Sequence, residues 1–222
     1  MGKIYMTLLK QHARRSDVEE LGFCQLNIGQ LSRNRFWGED EINPRRAPLC
    51  VSSLLWHGGD LLLADPCLPY EQMDDLLFNR AGRRTKDVTA LFLTHPHGDH
   101  TVDAMRYDVP LYIAPGAEDD WIDSPLWERL RLYPNELLPG VRSILLPGHT
   151  TASAGLAFPW PDRQTGRRSA LVAGDAVMTK DFFSAETGYF NSADFAAAAE
   201  TIKMIKRGFD IVIPGHDLLI PV

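Results

Sequence analysis

The sequence is poor in cysteine, with three among 222 residues: Cys24, Cys50 and Cys67. Three scattered thiols build no disulfide framework and match no zinc-knuckle spacing. Their odd number suits a reducing compartment. Long apolar runs are lacking too, and nothing approaches the roughly 18 consecutive apolar residues that a membrane span needs. The apolar part of residues 1–10 is too short for a signal-peptide core, and no small-residue cleavage site follows it. The expectation is a soluble, cytoplasmic protein with no membrane partner. No Gly/Ser/Pro-rich linker or run of like charge divides the chain, so one domain over 1–222 is expected. A basic excess is missing as well: the net charge is −6, and arginines form only small groups such as Arg45 with Arg46 or Arg83 with Arg84. That balance argues against nucleic acid and leaves a small molecule as the expected partner. Pairing into a homodimer is left open.

What is present is a series of short apolar strands. Residues 49–56 and 61–65 flank His57-Gly58-Gly59-Asp60, a strong hairpin-turn signal. A helix is expected over 70–81, with Met73, Leu76, Leu77 and Ala81 on one face and Gly82 as its stop. Further strands are expected at 88–94, 111–114, 141–146, 154–158, 170–173 and 210–213. Ser192 reads as the cap of a helix over 193–207 whose apolar stripe is Phe195, Ala198, Ala199, Ile202 and Ile205.

Four of these strands end, at their C-terminal side, in a short turn carrying His or Asp. Strand ends gather along one rim of a sheet while helices cover the outer faces. The expected fold is therefore α/β, a four-layer αββα sandwich with its site along one edge.

Five of the seven histidines lie at these strand ends. The densest cluster is Thr94-His95-Pro96-His97-Gly98-Asp99-His100. In extended backbone, side chains two apart point the same way, so His95 and His97 can grip one ion together. Pro96 keeps His95 extended, and Gly98 permits a turn that delivers Asp99 and His100 toward a second ion. His149 after Pro147-Gly148 supplies a third imidazole. Asp175 after Gly174 is placed to bridge, and His216 after Pro214-Gly215 would complete the ligand set of the second ion. Imidazole and carboxylate suit two zinc ions, with iron or manganese as alternatives. Burying these groups with no cation would leave several polar groups unsatisfied, each at about 1–3 kcal/mol. His12 and His57, by contrast, read as ordinary surface or turn residues.

At these residues the chain resembles the metallo-β-lactamase superfamily, whose hallmark His-x-His-x-Asp-His stands at 95–100. The resemblance implies the αββα sandwich, with His95, His97 and His149 on one metal, Asp99, His100 and His216 on the other, and Asp175 between them. It also suggests Asp65, at a strand end before Pro66, as an aspartate that orients a ligand histidine, with capping of the next turn as the equal alternative. True β-lactamases lack an aspartate equivalent to Asp175, and the diiron flavoproteins carry acids where His97 and His100 stand. The likeness is greatest to the N-acyl-homoserine lactonases, through residues 175–183, 202–206 and 215–217. Two departures stand out: Met178 takes the place of a tyrosine, and Thr151-Ala152-Ser153 replace a Pro-Gly-His.

The resemblance implies a dinuclear metallohydrolase that cleaves a lactone or related carboxylic ester with a bridging hydroxide. Asp99 would serve as the catalytic proton shuttle. An iron-dependent persulfide dioxygenase, or a thioesterase or phosphodiesterase of the same fold, is the alternative. Phe36 and Trp37 in the long 31–48 segment, with Met178, Phe182 and Phe183, are expected to line the substrate pocket. Ordinary packing under a long loop is the competing reading for these side chains.

Overall fold

A computed structural model describes residues 20–161, 166 and 168–222. His12, Arg167 and most of the expected 162–168 loop lie outside the described residues. Six strands form the first sheet in the order β1 (Gly22–Gln25), β2 (Ser53–His57), β3 (Asp60–Ala64), β4 (Ala90–Phe92), β5 (Leu111–Ile113) and β6 (Leu130–Leu132) among the described residues. β1, β2 and β3 run antiparallel, and β3 through β6 run parallel. The second sheet holds β7 (Arg142–Leu145), β8 (Ala154–Pro159), β9 (Ser169–Gly174), β10 (Ile211–Pro214) and β11 (Ile220–Pro221), with β9 and β10 its parallel pair. Both sheets are mixed, and helices lie on the outside, giving the expected αββα sandwich.

Side-chain alternation builds the layers. Along β9, Ala170 and Val172 enter the core between the sheets, with Phe92, Ile113 and Ile213. Leu171 and Ala173 point the other way, into a cluster with Ile202 and Ile205 of α3 (Phe195–Gly208). Successive side chains on a strand face opposite sides, so one short apolar run serves two layers. On the first sheet, α1 (Tyr70–Ala81) buries Met73 and Leu77 and ends at Gly82, whose φ of 66° is the left-handed conformation a helix stop uses. The hairpin forms as expected, pairing His57 with Asp60 across Gly58-Gly59.

Some boundaries differ from expectation. Residues 49–52 do not pair as strand; they stitch the rim, with Val51 N–H donating to Gly215 O and Leu49 bridging Gln30. The cap of α3 is Asp194, not Ser192: its carboxylate accepts from the backbone N–H groups of Ala196 and Ala197. Phe195 is thus the first helical residue, and it is exposed rather than part of the stripe. Side chains lean toward a helix's N-terminus, so this ring leans past the helix end. β1, β6, β11 and the short helix α2 (Lys180–Ala185) were not foreseen. Among the described residues, no helix is long and apolar enough to cross a membrane.

Candidate metal centre

The rim is assembled from strand ends of both sheets. β4 runs through Leu93 and Thr94 into His95, and Thr94 O accepts a hydrogen bond from Ala154 N at the start of β8, which ties the sheets together there. β9 delivers Asp175 and its parallel neighbour β10 delivers His216, so these two emerge side by side. Gly215 packs so tightly on Asp175 that a Cβ there would collide with the carboxylate. His149 follows β7 across Pro147-Gly148, where Gly148 has φ of 131° and lies against the backbone of Ala198. Only glycine tolerates both conditions.

These residues converge as two groups. His95, His97, His149 and Asp175 form one, Asp99, His100 and His216 the other, with the ligand atoms in each within 4.8 Å of one another. His97 Nδ1 lies 2.9 Å from His95 Nε2 and 3.0 Å from His149 Nε2. Asp175 divides its carboxylate between the groups. Oδ2 lies 3.7 Å from His95 Nε2 and 3.4 Å from His149 Nε2. Oδ1 lies 3.1 Å from His100 Nε2 and 3.2 Å from His216 Nε2. Asp99 Oδ2 is 3.6 Å from His216 Nε2.

Hydrogen bonds behind the rings decide which nitrogen is bare. Asp65, where the chain turns out of β3 with φ of 51°, accepts from His100 Nδ1 at 2.9 Å and from the Thr94 hydroxyl at 2.7 Å. With its proton committed to Asp65, that hydroxyl accepts from His95 Nδ1 at 3.0 Å. His216 Nδ1 donates to the carbonyls of Gln30 and Leu49 at 3.0 and 2.9 Å. Each ring thereby turns a lone pair on Nε2 into the site, as a ligand histidine must.

The donor set fits a cation. His100 Nε2 and Asp175 Oδ1 face the site, buried and close to each other but with no aligned hydrogen-bond partner. A single proton on His97 Nδ1 would have to be shared between His95 Nε2 and His149 Nε2, leaving at least one pair without a full hydrogen bond. A positive ion among them removes that conflict.

Electrostatics follow burial. Burial holds His95 neutral, its pKa well below the usual histidine value, and the neighbouring imidazoles reinforce this. Burial likewise brings His149 down to about 4, against the pull of Asp175, and lowers His97. For His100, burial is outweighed by Asp175 and Asp65, which raise it well above the usual value. His216 is raised, the Asp175 carboxylate overcoming burial. Asp175 itself is held well below the usual carboxylate range, since His100 and His216 outweigh its burial.

The expected pocket residues divide. Met178, Phe182, Leu31 and Tyr189 form one buried apolar cluster, joined to the centre where Met178 O accepts from His216 N at 2.9 Å. Phe36 lies edge-on to Phe182 with ring centroids 4.9 Å apart. Trp37, 60% exposed, points to solvent. Phe183 departs from expectation: it is buried with Ile202 and Ile205 under α3, because neighbouring positions on a short helix face different directions. Sequence reading missed Thr94 as the link between Asp65 and His95. It also missed Asp120, whose carboxylate accepts from the Thr150 hydroxyl and Ala152 N just after His149; the acidic run Glu118-Asp119-Asp120 gives no sign of this.

In comparisons with solved structures, B. thuringiensis AiiA, in a mutant form with N-decanoyl-L-homoserine at its active site, is 19% identical. That match has a TM-score of 0.60 and covers 86% of this chain and 89% of the other. A Thermotoga maritima protein assigned to the metallo-beta-lactamases has a TM-score of 0.65 at 16% identity, covering 91% and 99% of the two chains. AidC, a dizinc quorum-quenching lactonase in complex with a product, has a TM-score of 0.60 at 17% identity, covering 75% and 72%. At such identities the likeness establishes the shared fold. No curated protein matches the chain by sequence. The family described as the metallo-beta-lactamase superfamily matches residues 45–216, which takes in every histidine and aspartate of the two groups. With sequence family and sandwich in agreement, the chain belongs to the metallo-beta-lactamase superfamily of metal-dependent hydrolases.

Proposed function

We propose that the chain is a dinuclear zinc hydrolase that opens a lactone or cleaves a related carboxylic ester. The observation that carries this reading is the split of the Asp175 carboxylate, one oxygen toward each group. Zinc ions in such a pair polarise a carbonyl oxygen and supply hydroxide at neutral pH. His95, His97 and His149 would hold one ion, Asp99, His100 and His216 the other, and Asp175 both.

The chain's own residues supply the rest. Asp65 and Thr94 keep His95 and His100 in the ligating tautomer. Asp99 is the proton shuttle of this reading: its side chain is 20% exposed against 5% for Asp175, so of the two carboxylates it is the one more open to substrate and solvent. Met178 carries no hydrogen-bond donor, so carbonyl polarisation does not come from that position. Phe36, 43% exposed, is the apolar side chain here that suits an acyl group, with the buried cluster of Leu31, Met178 and Phe182 packed behind it. Lactonase structures among the fold relatives support the substrate class, one of them with a homoserine product bound at its catalytic metal center.

The test is elemental analysis of the purified protein, followed by assays on lactones, thioesters, phosphodiesters and persulfides. Two zincs and lactone or ester turnover are expected. A single iron with persulfide oxidation, or cleavage of phosphodiesters alone, would overturn the reading.

A further inference from the structure

Four of the candidate ligand histidines are buried: His95, His100, His149 and His216. Three have the ring nitrogen that faces away from the site held by a partner, namely the Thr94 hydroxyl, the Asp65 carboxylate or backbone carbonyls. His149 differs. Its Nδ1 is buried with no hydrogen-bond partner among the described residues. A ring with no such anchor must be aimed by its backbone.

The backbone around His149 is gripped from two sides. On one, Ala193 N donates to His149 O and Asp194 N to Gly148 O, each at 3.0 Å. On the other stands Asp120, in the turn Glu118–Trp121 that the fully buried Trp121 roots in the core. One oxygen of Asp120 accepts from the Thr150 hydroxyl at 2.6 Å and from Ala152 N at 2.7 Å. Thr150 in turn is bound to Ser153, its N–H donating to the serine hydroxyl at 3.0 Å. The turn that leaves His149 is thus closed around a single carboxylate from a distant part of the chain.

We propose that Asp120 is a positioning residue for the metal ligand His149, acting through the Thr150–Ser153 turn in place of the usual bond to the ring. The inference rests on the metal-centre reading above and concerns the group of His95, His97, His149 and Asp175. The Asp120 charge is also felt at His97, so clamp and charge must be separated. Asp120→Asn separates them: its amide oxygen can accept the same two bonds while the charge is gone.

The test is titration of metal-free protein with zinc against a chromophoric chelator, which reads both affinities without any activity. Wild type is expected to bind two zincs. Asp120→Ala is expected to weaken one of them about 10–100-fold, the range for loss of an outer-shell partner, and to leave the other unchanged. Asp120→Asn should restore most of the loss. Thr150→Val, which removes one of the two bonds, should show a smaller loss in the same direction, and it carries the test if Asp120→Ala fails to fold. The clamp is overturned if Asp120→Ala, or Thr150→Val in its place, binds both zincs as wild type does. It is also overturned if both zincs weaken together, or if Asp120→Asn is as weak as Asp120→Ala. A wild-type protein that binds no zinc sinks the metal-centre reading itself.

Discussion

His100 Nδ1 lies 2.9 Å from Asp65 Oδ2, and that contact determines which face of the imidazole is bare. Asp65 is 1% exposed and also binds Thr94 through its backbone N–H and hydroxyl, so one carboxylate orients His100 directly and His95 through Thr94.

Asp65→Asn places an NH2 group where donors already converge. The expected result is a loss of about 10–100-fold in zinc affinity or turnover, with both metals affected because one histidine from each group loses its anchor. Competition with a chelator and steady-state rates check this. Unaltered binding would show that the tautomers are set elsewhere.

Gly215→Ala directs a methyl group onto the Asp175 carboxylate, the group shared by both halves of the centre. The protein is expected to purify with less than the wild-type metal content and with activity reduced by orders of magnitude. Metal analysis and circular dichroism distinguish this from unfolding.

Stability of the metal-free protein should peak near pH 6.5. His149 stays neutral when folded down to about pH 4, and His95 is depressed likewise, whereas an unfolded histidine takes its proton near pH 6.5. Between those values the unfolded state binds more protons, so stability falls as the solution is acidified. His100 and His216 are raised instead, so their contribution is complete below about pH 6.5 and is lost as pH rises through their folded values. Thermal melts across pH in chelator check this. Rising stability from pH 6.5 down to pH 4 would contradict it.

Two phenylalanines divide packing from substrate contact. Phe182 is fully buried, and Phe182→Ala should cost about 3–5 kcal/mol in denaturant unfolding. Phe36 is 43% exposed, and Phe36→Ala should change stability by only about 0.5 kcal/mol while raising KM for long-chain lactones more than for short ones. An equal effect on both chain lengths would remove Phe36 from the acyl pocket.

Much of this was legible along the chain. The 95–100 cluster announces a metal ligand set because imidazoles two apart in extended backbone share a side, a local rule. The Pro-Gly turns before His149 and His216 are also local, since they let the chain pass close to the site. Phe195 and Ser192 show where local rules stop. Apolar period placed the ring in the stripe, yet the cap at Asp194 made it the overhanging first residue. Asp120 was invisible because an acidic run looks alike whether solvated or folded over a turn some thirty residues downstream.

By itself, the sequence determined which side chains can bind metal, the strand ends that carry them and the layered sandwich, all set by short-range pattern and burial. Only the tertiary structure decided how the two oxygens of Asp175 divide between the groups, that Asp65 reaches a second imidazole through Thr94 and that Phe183 packs under α3. Those relations depend on which strands become neighbours and on separations of a few ångströms between residues far apart in the chain, which no local pattern encodes.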